Sequence, residues 1–153
     1  MGLIHLNYNI LLLGLLAFHA GVSAELPNHT LTPGQTRIVT IKDLCTTSTS
    51  LVRNVPESTK SQVFANYKMK GNDRSICSEG YEIDHLISLE LGGSNDIKNL
   101  WPQSYCGDNN AHKKDKLENE LHRQICLGKI SIQDAQQCIS SDWEMCYIKT
   151  YKK

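Results

Sequence analysis

The first 24 residues contain no Lys, Arg, Asp or Glu. Within that charge-free stretch, Ile10 to Phe18 form a compact apolar run, and Val22-Ser23-Ala24 places small residues where a signal peptidase reads them. The run is shorter than the ~20 apolar residues that a membrane span needs. No Cys follows it closely, which argues against a lipid anchor. Residues 1–24 are therefore expected to be a signal peptide. Glu25 would then open a chain that is secreted or periplasmic and free of the membrane after cleavage.

Spacings of the C-x₂₋₄-C kind are also missing, which weakens any structural zinc site. Cys45, Cys77, Cys106, Cys126, Cys138 and Cys146 all lie after the apolar run. An even count in an exported chain reads as disulfides, although the sequence does not choose the pairing. Nor is there a surplus of positive charge, since 16 Lys plus Arg stand against 16 Asp plus Glu. Proteins that grip nucleic acid by bulk charge are basic. Any phosphate binding here has to come from local clusters and a metal. The length suits one domain with one core, and no internal repeat is present.

Residues 25–44 read as an N-terminal arm or edge strand: Pro27, Pro33 and Gly34 make turns, then Ile38-Val39-Thr40-Ile41 is β-branched. Thr46 to Ser50 reads as loop or extended chain. A helix is expected from Pro56 to about Tyr67, with Val63 and Tyr67 on one face, and Gly71-Asn72 ends it in a turn. Tyr81 to Leu89 is the best strand candidate. The turn Gly92-Gly93-Ser94-Asn95-Asp96 separates it from a short strand at Asn99-Leu100-Trp101, which Pro102 should stop. A helix should start near Asp108 to Asn110, carry Leu117, Leu121 and Ile125 on one face, and end before Gly128. Ser131, with Asp134 three residues on, caps a last helix whose apolar face is Ile132, Ala135, Ile139 and Trp143.

A chemical constellation sits in the middle of the chain. Asp84-His85 leads through the Gly-Gly turn to Asn99-Leu100-Trp101-Pro102-Gln103 and then to the polar helix start Asn109-Asn110-Ala111-His112-Lys113-Lys114-Asp115. In this order and spacing, the stretch from Tyr81 to Glu118 resembles an HNH (ββα-metal) nuclease. The flanks Thr46–Pro56 and Leu121–Trp143 resemble small secreted members of that group.

The resemblance implies an α+β fold: a ββα-metal core at about residues 80–126 within a domain of residues 45–153, flanked by helices and held by disulfides. It implies a metal-dependent endonuclease that hydrolyses DNA, with RNA as the alternative, and that works as a monomer. Hydrolysis of a phosphodiester needs an activated water on one side of phosphorus and charge neutralisation of the departing oxygen on the other. Successive strand side chains point apart, so neighbours at a strand end can serve the two sides. His85 would be the general base and Asp84 would hold one divalent ion. Asn99 would fix the loop and the orientation of the imidazole.

On the helix, Asn110 is the expected metal ligand and His112 the alternative. The two stand about 200° apart around the axis and should not share one ion. An amide and a carboxylate suit Mg²⁺ or Mn²⁺, whereas a His would favour Zn²⁺ or Ni²⁺. Lys113, Lys114 and Lys116 would contact the substrate backbone. Glu82 shares a strand face with Asp84 and could support it from behind. The rival reading is an exported HNH-scaffold protein that binds nucleic acid or serves structure without turnover.

Overall fold

The computed structural model describes residues 26–152, so the expected signal peptide, Glu25 and Lys153 lie outside the described residues. Within them, five α-helices surround a two-stranded antiparallel sheet: α1 (Ile41–Thr46), α2 (Glu57–Asn66), β1 (Tyr81–His85), β2 (Leu100–Ser104), α3 (Ala111–Cys126), α4 (Ile132–Ser141) and α5 (Trp143–Tyr151). The architecture is mixed α+β.

The β-branched stretch at 38–41 does not make a strand. Ile38 is exposed, and the chain turns into α1 at Thr40. There the Thr40 hydroxyl accepts from Asp43 N at 3.1 Å, and the Asp43 carboxylate accepts from Thr40 N at 3.0 Å. This reciprocal cap outweighs a β preference that has no partner strand to satisfy it. The arm before it touches the rest through an isolated bridge from Thr36 to Gly93 and through the Thr32 hydroxyl, which donates to Leu100 O at 2.9 Å.

In the sheet, Tyr81 pairs with Ser104 and His85 with Leu100, and Pro102 lies opposite Ile83. Pro102 does not stop β2 as expected, and the strand runs through it. Tyr105 N donates to Gly80 O, and Leu86 N donates to Asn99 O. Hydrogen-bonded pairs therefore alternate from 80/105 to 86/99, which leaves Pro102 at a position whose missing N–H is not needed.

The apolar core sits between α3, α4, α5 and the turn after β1. Leu117, Leu121 and Ile125 of α3 meet Ile87, Leu91, Ala135, Ile139 and Trp143 there. α3 ends as its sequence demands. Lys129 N reaches Gln124 O, Gly128 N reaches Ile125 O, and Gly128 takes the left-handed φ of 66° that such a terminus requires. The expected last helix is in fact two. Asp142, with φ −165° and ψ 97°, breaks it, and its carboxylate accepts from Met145 N at 2.9 Å to start α5. The apolar spacing of Ala135, Ile139 and Trp143 runs across the break, so periodicity alone does not reveal it.

The disulfides pair Cys45 with Cys126, Cys77 with Cys106 and Cys138 with Cys146. The first ties α1 to the end of α3, the second joins the segments before β1 and after β2 at the same end of the sheet, and the third staples α4 to α5. Among the described residues, no helix is long and apolar enough to cross a membrane.

Candidate active site

β1 ends in Asp84 and His85, and their side chains part, as alternation along a strand requires. His85 is buried, with 1% of its surface exposed. Its Nε2 lies 3.1 Å from Asn95 Oδ1. The orientation of that amide is fixed by backbone groups. Asn95 Nδ2 donates to Val52 O at 2.7 Å, and Asn95 Oδ1 accepts from Asn54 N at 3.2 Å. Because Oδ1 can only accept, Nε2 of His85 carries the proton, and Nδ1 of the neutral ring is left with its lone pair. Among the described residues Nδ1 has no hydrogen-bond partner. Burial is the main reason that the imidazole's pKa is lowered, against the opposite pull of Asn95 and Asp84.

Asn99 holds the turn that carries Asn95. It is fully buried, accepts from Ile87 N at 3.0 Å, and donates to Ile87 O and Ser94 O, both at 2.9 Å. Gly93 completes this turn by close approach. A Cβ built there would stand 1.7 Å from Ile87 O, so no side chain fits. Asn99 thus fixes the loop, while the group that touches the imidazole is Asn95.

Asp84 turns the other way, toward α3. Its Oδ2 accepts from Lys114 Nζ at 2.6 Å; the same ammonium donates to His85 O at 2.8 Å and to Glu118. Lys114 is 1% exposed. Burial alone would lower its pKa, but the Asp84 and Glu118 carboxylates outweigh it and hold the lysine charged. Burial conversely pushes the Glu118 carboxyl up, with Lys114 only partly opposing it. The expectation that Lys114 contacts substrate is therefore corrected: its charge is spent inside the protein.

The helix-borne ligand candidates are each engaged by another group. Asn110 is the cap of α3. Its Oδ1 accepts from Lys113 N at 3.0 Å, and its Nδ2 donates to Gly107 O at 2.8 Å. His112 is exposed and tilts against the Tyr105 ring, with centroids 5.3 Å apart. Both side chains thus have other engagements, whereas Asp84 Oδ1 makes no hydrogen bond among the described residues and is open to an ion. Mg²⁺ and Mn²⁺ bind through one or two carboxylates with water and substrate phosphate completing the shell.

Glu82 and Asp115 face Asp84 across this region. Both carboxyls are raised, by burial first and then by the charge of Asp84. Tyr105 donates to Glu82 Oε2 at 2.8 Å, and burial together with that bond raises its phenol to about 12. Of the other expected substrate contacts, Lys113 donates to Asn109 Oδ1 at 2.7 Å and lies 5.0 Å above the Tyr147 ring. Lys116 is exposed and, among the described residues, makes no ion pair and no side-chain hydrogen bond, so its charge is open to an anion.

Among the described residues, one trio of His, Cys, Asp or Glu donors lies close enough to share an ion: Cys45, His122 and Cys126. Two of these are joined as a disulfide, whereas the thiolate is the ligating form. Helical spacing would pair His122 with Glu118. Instead it latches α1 to α3 through its Nε2, 3.0 Å from Leu44 O, with Glu90 3.9 Å from its Nδ1.

Two residues at the site escape a reading of the sequence. Asn95 has the look of ordinary turn composition beside Gly92-Gly93. Arg53 sits before α2, far from the motif in sequence, and only the fold brings it to a cleft of about 650 Å³ that it lines with Lys60, Phe64 and Glu82. No protein-family model, curated protein or solved structure matches the chain.

Proposed function

We propose that the chain is an exported HNH-type endonuclease that hydrolyses phosphodiester bonds of DNA, or alternatively RNA, with little sequence preference. One observation carries this reading: Asn95 holds the Nε2 side of the His85 ring and leaves Nδ1 as an unpartnered lone pair at the end of β1. A general base needs that arrangement, one nitrogen anchored and the other free to accept a proton. The strand–strand–helix order around Asp84, His85 and Asn99 supports it.

In the proposed reaction His85 Nδ1 takes a proton from water, and the water oxygen attacks phosphorus. The bond from phosphorus to the departing sugar oxygen breaks with its electron pair on that oxygen, which takes a proton from solvent; the products are a phosphate monoester and a hydroxyl, and His85 returns its proton to solvent. Asp84 Oδ1 would hold a divalent ion, Mg²⁺ or Mn²⁺ by its oxygen donors, with Glu82 and Asp115 deepening the negative potential around it. Such an ion, when bound, neutralises charge on phosphate and departing oxygen. With 1% exposure, His85 is closed to bulk solvent, so turnover requires the protein to open beside it. Asn99 keeps the turn, and through it Asn95, in place.

The test is cleavage of plasmid by the oxidised chain in Mg²⁺, Mn²⁺, Zn²⁺ or EDTA, compared with His85→Ala. Cleavage abolished in His85→Ala supports the reading; equal cleavage by both overturns it. The closed imidazole and the Lys114–Asp84 pair favour the rival, an HNH-scaffold protein that binds without cutting. Retained nucleic-acid binding with no cleavage in any metal would decide for it.

A further inference from the structure

We infer that Arg53 is a phosphate-binding residue of this site, fixed beside His85 because Asn95 clamps the backbone on both sides of it. The inference rests on the nuclease reading and extends it to a residue outside the strand–strand–helix motif. Asn95 bonds Val52 O, Asn54 N and His85 Nε2 with one amide group, at 2.7, 3.2 and 3.1 Å. Arg53 lies between the first two. The peptide units before and after it are therefore tied to the imidazole by a rigid side chain rather than by a loose loop.

The arginine is exposed, and among the described residues its guanidinium makes no hydrogen bond or ion pair, although His85 and Asp115 both lie within its field. A merely solubilising arginine needs no such clamp. Its cleft is lined by Glu82 and Ile83, the two residues that precede Asp84 on β1, so an anion bound there adjoins the reacting end of the strand. Lys60, the other cation of the cleft, is paired with Glu57 at 2.6 Å. Among the described residues that line the cleft, Arg53 is thus the unpaired cation. A guanidinium offers a planar fork of donors that matches two phosphate oxygens, which an ammonium cannot do. The ligand chemistry is a backbone phosphate next to the scissile one. Arg53 also supplies local positive charge that the neutral composition does not.

The test uses the full oxidised chain in a His85→Ala background, so that binding is read without cleavage. Fluorescence anisotropy of a short labelled single-stranded DNA follows binding against salt. Adding Arg53→Ala should weaken binding roughly tenfold or more, the size of a charge-assisted bond. The log–log salt slope should fall by about 0.7, the value for one phosphate released from a single strand. Arg53→Lys should recover only part of the affinity. Lys149→Ala, an exposed charge on α5, serves as the control for net charge. Binding by Arg53→Ala that equals the Lys149→Ala control overturns the inference. If the chain with native His85 cuts DNA while Arg53→Ala binds normally, only the Arg53 assignment falls. If the native chain neither binds nor cuts, the nuclease reading falls with it.

Discussion

Lys114 places its ammonium 2.6 Å from Asp84 Oδ2 and 2.8 Å from His85 O, and so binds α3 to the last two residues of β1. Every proton of that buried ammonium has an acceptor, Glu118 taking the third. Lys114→Met should leave two carboxylates facing each other without a counter-charge and cost about 3–5 kcal/mol in urea unfolding. Lys114→Met combined with Glu118→Leu should recover part of that deficit. If Lys114→Met is as stable as the native chain, the ammonium is not holding the junction.

The second prediction concerns the two halves of the Asp84-His85 pair, whose removal should differ in kind. His85→Ala should lower cleavage by roughly 10²–10⁴-fold while leaving metal affinity nearly intact. Asp84→Ala should weaken metal binding instead, with partial recovery in excess Mg²⁺ or Mn²⁺. Calorimetric metal titration beside plasmid cleavage separates the two. Equal metal affinity in Asp84→Ala and native protein would remove Asp84 as the ion's holder.

A third concerns pH. Burial lowers the His85 pKa below the ordinary value of 6.5, so the folded ring stays neutral in a range where the unfolded ring is already charged. Above that ordinary value the ring is neutral in both states and its contribution to stability is full. As pH falls through the ordinary value toward the folded one, the unfolded chain takes up a proton that the folded chain refuses, and stability declines. Cleavage should persist somewhat below the usual histidine range and then fall as Nδ1 is protonated. His85→Phe should flatten the stability profile in that window. An unchanged slope in urea titrations between about pH 5 and 7 would count against the buried neutral ring.

Asn110 and His112 provide the fourth. Asn110→Ala removes the α3 cap and should cost about 0.5–2 kcal/mol of stability, without changing metal affinity. His112→Ala gives up only a ring contact with Tyr105 and should change both quantities little. A sharp drop in metal affinity from Asn110→Ala would restore it as a ligand.

Much of the frame was legible because it rests on local chemistry. Ser131 with Asp134, Asn110 before α3, Gly128 after it and the Leu117-Leu121-Ile125 stripe each announce themselves through short-range bonds or helical period. The fate of the lysines had a signal too. Extended back by one turn, the stripe passes through Glu118, Leu117 and Lys114, and it misses Lys113 and Lys116. Lys114 and Glu118 thus share the buried face, four residues apart, as an internal pair. What periodicity cannot supply is the contact between distant segments. Asn95 reaches Val52 and Asn54 from some forty positions away, and no pattern within Gly92 to Asp96 foretells it. The strand at 38–41 failed for a related reason: β preference needs a neighbour, and the capping bonds at Thr40 and Asp43 need none.

The bond between Cys45 and Cys126 makes a covalent ring of everything from the end of α1 to the end of α3. Arg53, Asp84, His85, Asn95 and Lys114 all lie inside it. A protease that nicks the exposed stretch at 72–76 therefore cannot release either piece. The two fragments should migrate together on a non-reducing gel and separate only when thiol is added. Such a cut leaves β1 tethered on both sides, with Cys77 bonded to Cys106 as well as the larger ring closed, so the nicked protein keeps Asp84 and His85 among their neighbours.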